Sequence, residues 1–175
     1  MATLIMQAVG QGGGGDVLGR VPIFAGLAEQ HLDWIIAAGT LGEVASGERV
    51  VSEGEPAKSL FVVCQGELEV CKCGSHGAEI RLAVLRAGDC VGEMSLIDIQ
   101  PRSATVRALT PTVLFCLSHA QIARLYHSHS DVYLMLVLNI AREISRRLRV
   151  ADQALAMMGV SINEMWQNET RPSLT

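Results

Sequence analysis

Apolar and polar residues change rhythm twice along this chain. From Glu29 to Ala38, Leu32, Ile35 and Ile36 recur at helical spacing and Gly39 follows as a stop signal, so the pattern predicts a helix. Val21 to Leu27, just before it, reads as a turn or short helix. From Thr40 to Leu117 the rhythm shortens. Brief runs of Val, Leu, Ile and Phe are parted by turn signals such as Ser46-Gly47-Glu48, Gln65-Gly66-Glu67 and Ala87-Gly88-Asp89. Strands are predicted at 41–45, 49–52, 59–64, 67–73, 78–86, 104–109 and 112–117. Leu68 and Val70, and then Ile80, Leu82 and Val84, alternate with charged or small residues, as half-buried antiparallel strands do. A jelly-roll-like double sheet is the economical arrangement.

After Leu117 the helical rhythm returns. Ser118 with Gln121 three residues on has capping-box spacing, which predicts a helix to His127. Asp131 caps a long helix running to about Met158, ended by Gly159. Along it Val137, Ile140, Ile144, Leu148, Ala151, Leu155 and Met158 recur at steps of three and four. That seam is longer than a small β body can cover, so it predicts a partner-helix or coiled-coil face, with packing on its own domain as the alternative. The expected fold class is α+β, mainly β: an antiparallel jelly-roll-like β-roll with N-terminal helices and a long C-terminal helix. The expected parts are a flexible leader (1–19), the roll with its flanking helices (20–130), the long helix as dimerisation element and lid (131–158) and a flexible tail (159–175).

Composition narrows the class. At 175 residues with 49% hydrophobic and 18% charged positions, the chain can bury a core and is not disordered. A net charge of −4 argues against a free-standing nucleic-acid binder. No stretch approaches a membrane span, and Met1 to Gly15 lacks the basic start of a secretory signal, so a cytoplasmic location is expected. Cys64, Cys71, Cys73, Cys90 and Cys116 are expected to be buried reduced thiols; Cys71-Lys-Cys73 is one residue short of metal-ligand spacing and has no second pair.

The chemistry concentrates between Val91 and Thr105, Val-Gly-Glu-Met-Ser-Leu-Ile-Asp-Ile-Gln-Pro-Arg-Ser-Ala-Thr. A short helix can begin at Glu93, and its N–H groups would favour an anion. Gly92 permits close backbone approach. The Glu93 carboxylate suits a sugar hydroxyl, and Arg102 offers a planar fork for two phosphate oxygens. Pro101 fixes the backbone before the fork. Ser103 and Thr105 can add hydroxyl donors. Each residue has an ordinary explanation alone; together they suit a sugar joined to a phosphate.

This segment resembles the phosphate-binding cassette of the cyclic-nucleotide-binding domain family, which includes the bacterial catabolite activator, protein kinase A regulatory subunits and cyclic-nucleotide-gated channels. Gly92, Glu93, Pro101, Arg102, Ser103, Ala104 and Thr105 match its pattern; Val91 stands where Phe is common. Ser46 to Ala57 and Leu60 to Val70 resemble the family's early strands, and Val21 to Leu27 its helical entry, so the likeness spans about Val21 to Met158. It implies a ligand-binding set of Gly92, Glu93, Met94, Ser95, Arg102, Ser103, Ala104, Val84 and Asp152. Glu93 would hold the ribose 2′-hydroxyl, Arg102 and Ser103 the cyclic phosphate, and Val84 with neighbouring strand residues the base. Ala151 and Asp152 stand where the activators carry a hydroxyl pair that touches adenine, so cAMP against cGMP stays open; Asp152 could still accept from an amino group.

The activators also carry a helix-turn-helix module beyond the long helix, and Gly159 to Thr175 is too short for one. Arg142, Arg146, Arg147 and Arg149 read as a solvated helix face in preference to a DNA contact. His127 and His129 beside Ser128 read as a polar loop cluster, not a catalytic triad. The expectation is therefore a stand-alone, non-enzymatic receptor for cAMP or cGMP that needs no metal. It would form a homodimer, act on an unidentified effector protein, and touch neither nucleic acid nor membrane. The alternative is a degenerate member that dimerises without binding nucleotide.

Overall fold

The computed structural model describes residues 5–8, 18–74, 77–98 and 100–158, of which 5–8 are described by their backbone. The chain divides into two units, 1–140 and 141–175. In the first, β1 (Ile5–Ala8) precedes a 3-10 turn (Pro22–Phe24) and α1 (Glu29–Ala38). Then come β2 (Thr40–Val44), β3 (Arg49–Val51), β4 (Ser59–Gln65), β5 (Leu68–Cys73), β6 (Glu79–Leu85), β7 (Cys90–Val91), α2 (Ser95–Asp98), β8 (Thr105–Ala108) and β9 (Thr112–Ser118). They are followed by α3 (His119–Ser128) and α4 (Ser130–Met157). Two antiparallel sheets result, ordered β1-β2-β9-β4-β7 and β3-β8-β5-β6, so the double-sheet roll expected from the strand rhythm is present.

Two of these strands lie outside the predicted set. Ile5–Ala8 pair with Thr40–Glu43, where an irregular leader was expected. The two-residue β7 is too short for any periodicity to reveal it. The expected stop at Gly159 and the tail to Thr175 lie outside the described residues.

The strands at the centre of the larger sheet carry unbroken apolar runs because both of their faces are covered. Phe61, Val63, Leu114 and Cys116 join Val44, Val51, Leu68, Leu85, Val106 and Ala108 in the core between the sheets. Leu60, Val62, Phe115 and Leu117, of opposite parity, are buried as well. Each fully buried side chain of this size contributes roughly 1.5–3 kcal/mol. Gly39 is a packing requirement as much as a helix stop, since a Cβ there would lie 2.1 Å from the Phe115 ring.

The helix signals are met at atomic level. Ser118 Oγ accepts from Gln121 N (3.2 Å) while Gln121 Oε1 accepts from Ser118 N (2.6 Å), completing the capping box. The same Gln121 amide donates through Nε2 to the Ala38 carbonyl at the end of α1. Early in α4, the buried Asn139 donates to the Ile23 and Ala25 carbonyls at 3.2 and 2.7 Å. His129, read as loop surface, instead stacks on Trp34 with ring centroids 3.8 Å apart.

In the second unit, Glu143 accepts from Arg146 Nη2 (2.7 Å) and Arg147 Nε (2.9 Å). Burial pushes its carboxyl up, but these hydrogen bonds outweigh burial and hold it below the usual range. Two arginines of the basic run are thus tied to an acid on their own helix.

Candidate functional site

The site is built where β7 leaves the larger sheet. Phe61 pairs with Val91 and Val62 with Cys90, which brings the next residue, Gly92, beside the start of β4. Gly92 has φ +88°, a conformation that L side chains rarely adopt. A Cβ there would lie 2.2 Å from Arg102 Nη1 and 2.7 Å from the Ser59 carbonyl oxygen. Glycine is therefore required twice, once for the turn and once for the arginine that fills the space beside it.

Arg102 enters from the loop before β8. Its N–H donates to the Glu55 carbonyl (2.9 Å) and its own carbonyl accepts from Gly54 N (2.9 Å), so its backbone is clamped to the 52–56 turn. Thr105 Oγ1 accepts from Glu53 N at 3.0 Å; the hydroxyl expected to serve a ligand is engaged with that same turn. The guanidinium is only 8% exposed and lies over the Phe61 ring, with Cζ 5.6 Å from the centroid. Nη2 donates to the Ser59 carbonyl at 2.7 Å. Nη1 is buried with no hydrogen-bond partner. Burial lowers the guanidinium's pKa from its ordinary value, while Glu55 and Glu93 act the other way. An unpaired buried polar group costs about 1–3 kcal/mol, and more when charged. An acceptor placed at Nη1 would remove that cost.

The other matched residues gather here. Glu93 is 3% exposed and acts electrostatically on Arg102. Ser95 is buried, and its hydroxyl donates to the Gly92 carbonyl (2.8 Å) while lying 3.3 Å from His119 Nε2. Ala104 is buried and Ser103 exposed. Met94, 46% exposed, stands at the surface of the cassette.

Val84 lies on β6. It pairs with Glu69, which also pairs with Arg107, whereas the next residue, Leu85, pairs with Leu68 in the core. A register shift between Val70 and Cys71 exchanges the faces of β6, so Ile80, opposite Lys72, shares the core-side face of Leu68 and Val70. Ile80 and Leu82 are 54% and 58% exposed, open apolar surface on an edge strand. Asp152 is half-buried in the second unit, as part of α4.

Residue reading missed three members. Ser59 contributes a backbone carbonyl, which has no side-chain signature. Phe61 looks like any core strand residue. His119 lies beyond the cassette and meets it through Ser95 and the Arg102 charge. Of the thiols, Cys71, Cys90 and Cys116 are buried as expected, but Cys64 is half-buried and Cys73 exposed. Among the described residues, no group of three or more His, Cys, Asp or Glu side chains could hold a metal ion, and no helix is long and apolar enough to cross a membrane.

The β-roll thus brings a buried, half-satisfied arginine and a buried carboxylate together between β7 and β8. The family model for the cyclic nucleotide-binding domain matches residues 41–129. The cyclic AMP receptor protein of Thermus thermophilus is 31% identical over 137 residues, 78% of this chain and 62% of that protein. A cAMP-dependent protein kinase regulatory subunit of Yarrowia lipolytica is 38% identical over 93 residues, 53% of this chain and 24% of the subunit. The N-terminal domain of a transcriptional regulator from Streptomyces coelicolor has a TM-score of 0.69 at 32% identity, over 75% of this chain and 94% of that one. This chain therefore belongs to the cyclic nucleotide-binding domain family. It spans less than two thirds of the length of these curated relatives.

Proposed function

We propose that this chain is a receptor for a cyclic nucleoside monophosphate, cAMP before cGMP, and that it regulates rather than catalyses. The observation that carries this is the buried, unpartnered Nη1 of Arg102 next to the buried Glu93. The cyclic phosphate would satisfy the guanidinium, with Ser103 at the rim, and Glu93 would accept from the ribose 2′-hydroxyl. For the base, the exposed Ile80 and Leu82 of β6 stand beside Val84 as apolar candidates. Asp152 remains a candidate acceptor for an exocyclic amino group. Output would pass through α4 to a second copy of the chain or to another protein, as a shift between two states. The names of the Thermus and Yarrowia relatives favour cAMP as the first ligand to try.

Calorimetry with cAMP, cGMP and 5′-AMP tests the reading. Saturable heat is expected with a cyclic nucleotide and a loss of affinity in Arg102→Ala. No heat with either cyclic nucleotide, or unchanged binding by that variant, overturns it. Prolonged incubation should leave cAMP intact; its conversion to AMP would make the protein an enzyme instead.

A further inference from the structure

The Ser95 hydroxyl has one proton, and it goes to the Gly92 carbonyl at 2.8 Å. The contact between Ser95 Oγ and His119 Nε2 at 3.3 Å must then run the other way, with the ring donating. This fixes His119 as the Nε2–H tautomer or the imidazolium. A directional chain follows, from the His119 N–H through the Ser95 O–H to the Gly92 C=O. That carbonyl belongs to the same peptide unit as the Glu93 N–H. In a trans peptide the two point in opposite directions, so holding the carbonyl toward Ser95 turns the Glu93 N–H away from it. Hydrogen bonds in series also polarise one another, which makes that N–H a stronger donor.

We propose that His119 is a positioning residue for the cassette, acting through Ser95 to orient and polarise the Gly92–Glu93 peptide, and that it couples ligand affinity to proton uptake. This rests on the cyclic-nucleotide reading above.

The groups acting on the ring come from two directions. α2 supplies the Ser95 hydroxyl, and the loop before β8 supplies the Arg102 guanidinium. The His119 backbone is held by the segment before β4, where the Lys58 carbonyl accepts from its N–H at 2.9 Å. Arg102 in turn is influenced by Cys116, Glu55 and Glu93. Burial, and then the Arg102 charge, hold the imidazole below its ordinary value of 6.5. An anion seated on Arg102 cancels that second influence, so the bound state holds the proton more tightly. By linkage, affinity rises as pH falls through the same window.

The test is calorimetry with cAMP between pH 5 and 7.5 in buffers of different ionisation enthalpy, on wild type, His119→Gln, His119→Phe and Ser95→Ala. Wild type should take up protons on binding near pH 6. Gln, a donor that does not titrate, should bind without proton uptake and recover most of the affinity lost in Phe. Ser95→Ala should bind about three- to tenfold more weakly at every pH, the effect of one hydrogen bond. Nitrogen NMR of free wild type should report the Nε2–H tautomer. Binding without proton uptake, equal uptake by His119→Gln, or full affinity in Ser95→Ala overturns the positioning role alone. No binding heat from wild type overturns the receptor reading and this proposal with it.

Discussion

Arg102 and Arg107 lie on neighbouring stretches of chain and are treated in opposite ways. Arg107, on β8, donates through Nε to Glu69 at 2.7 Å and through Nη2 to Glu79 at 3.3 Å, and Arg81 lies 3.9 Å from the same Glu69. The hydrogen bond it donates to Glu69 raises its pKa. Arg102, in the cassette, is buried over Phe61, is held by one carbonyl, keeps one nitrogen unpartnered, and has its pKa lowered. The first charge is bonded to carboxylates on the neighbouring strands, while the second feels Glu55 and Glu93 but keeps one nitrogen unpartnered. A charge matched internally stabilises the fold; a charge matched incompletely is poised for a ligand.

The comparison can be broken by exchanging the outcomes. Arg102→Ala should have the largest effect, weakening cAMP binding more than tenfold, as expected for loss of a charged hydrogen bond of about 1.5–3 kcal/mol. Thermal unfolding of the same variant without ligand should show little loss of stability, because a buried charge with an unpartnered nitrogen has been removed. A large drop in its melting temperature would place Arg102 with Arg107 as a structural residue.

Gly92→Ala comes next. The left-handed φ costs roughly 1–2 kcal/mol for a side chain, and the Cβ also displaces Nη1, so stability and affinity should both fall. A variant that melts lower yet binds normally would show that the guanidinium has room to move. Arg107→Ala is the converse of Arg102→Ala. It leaves Glu69 buried without its main partner, so the melting temperature should fall while calorimetry finds cAMP affinity unchanged.

The smallest effect is a pH dependence. The folded state holds His119 below its ordinary value, so the unfolded chain binds more protons in that window. Stability is therefore full above pH 6.5 and declines as pH falls through the lowered value. Denaturant titrations at a series of pH values should show this slope, and it should shrink in Arg102→Ala.

The difference between the two arginines was only half visible in the sequence. Gly92, Glu93 and the Pro101 to Thr105 run are side-chain types at fixed spacing, and the strands around them follow from apolar alternation, so the roll and the cassette could both be read. Whether Arg102 is satisfied depends on the Ser59 carbonyl, which every residue possesses, and on the tertiary approach of β4. The face that Val84 shares with its neighbours has a local cause. One register shift lets Ile80 and Leu85, not Ile80 and Val84, share a face, and a period-two pattern cannot reveal it. β1 escaped notice because its four residues sit beside a glycine run, and only pairing with β2 makes them a strand.

The Gln121 side chain has a consequence beyond its cap. One amide closes the start of α3 through Oε1 and the end of α1 through Nε2. The two helix ends are thus tied through one side chain, so displacing Gln121 releases a hydrogen bond at each. In hydrogen exchange, the Ser118 amide should become labile together with the end of α1, so that elements far apart in the chain share one clock.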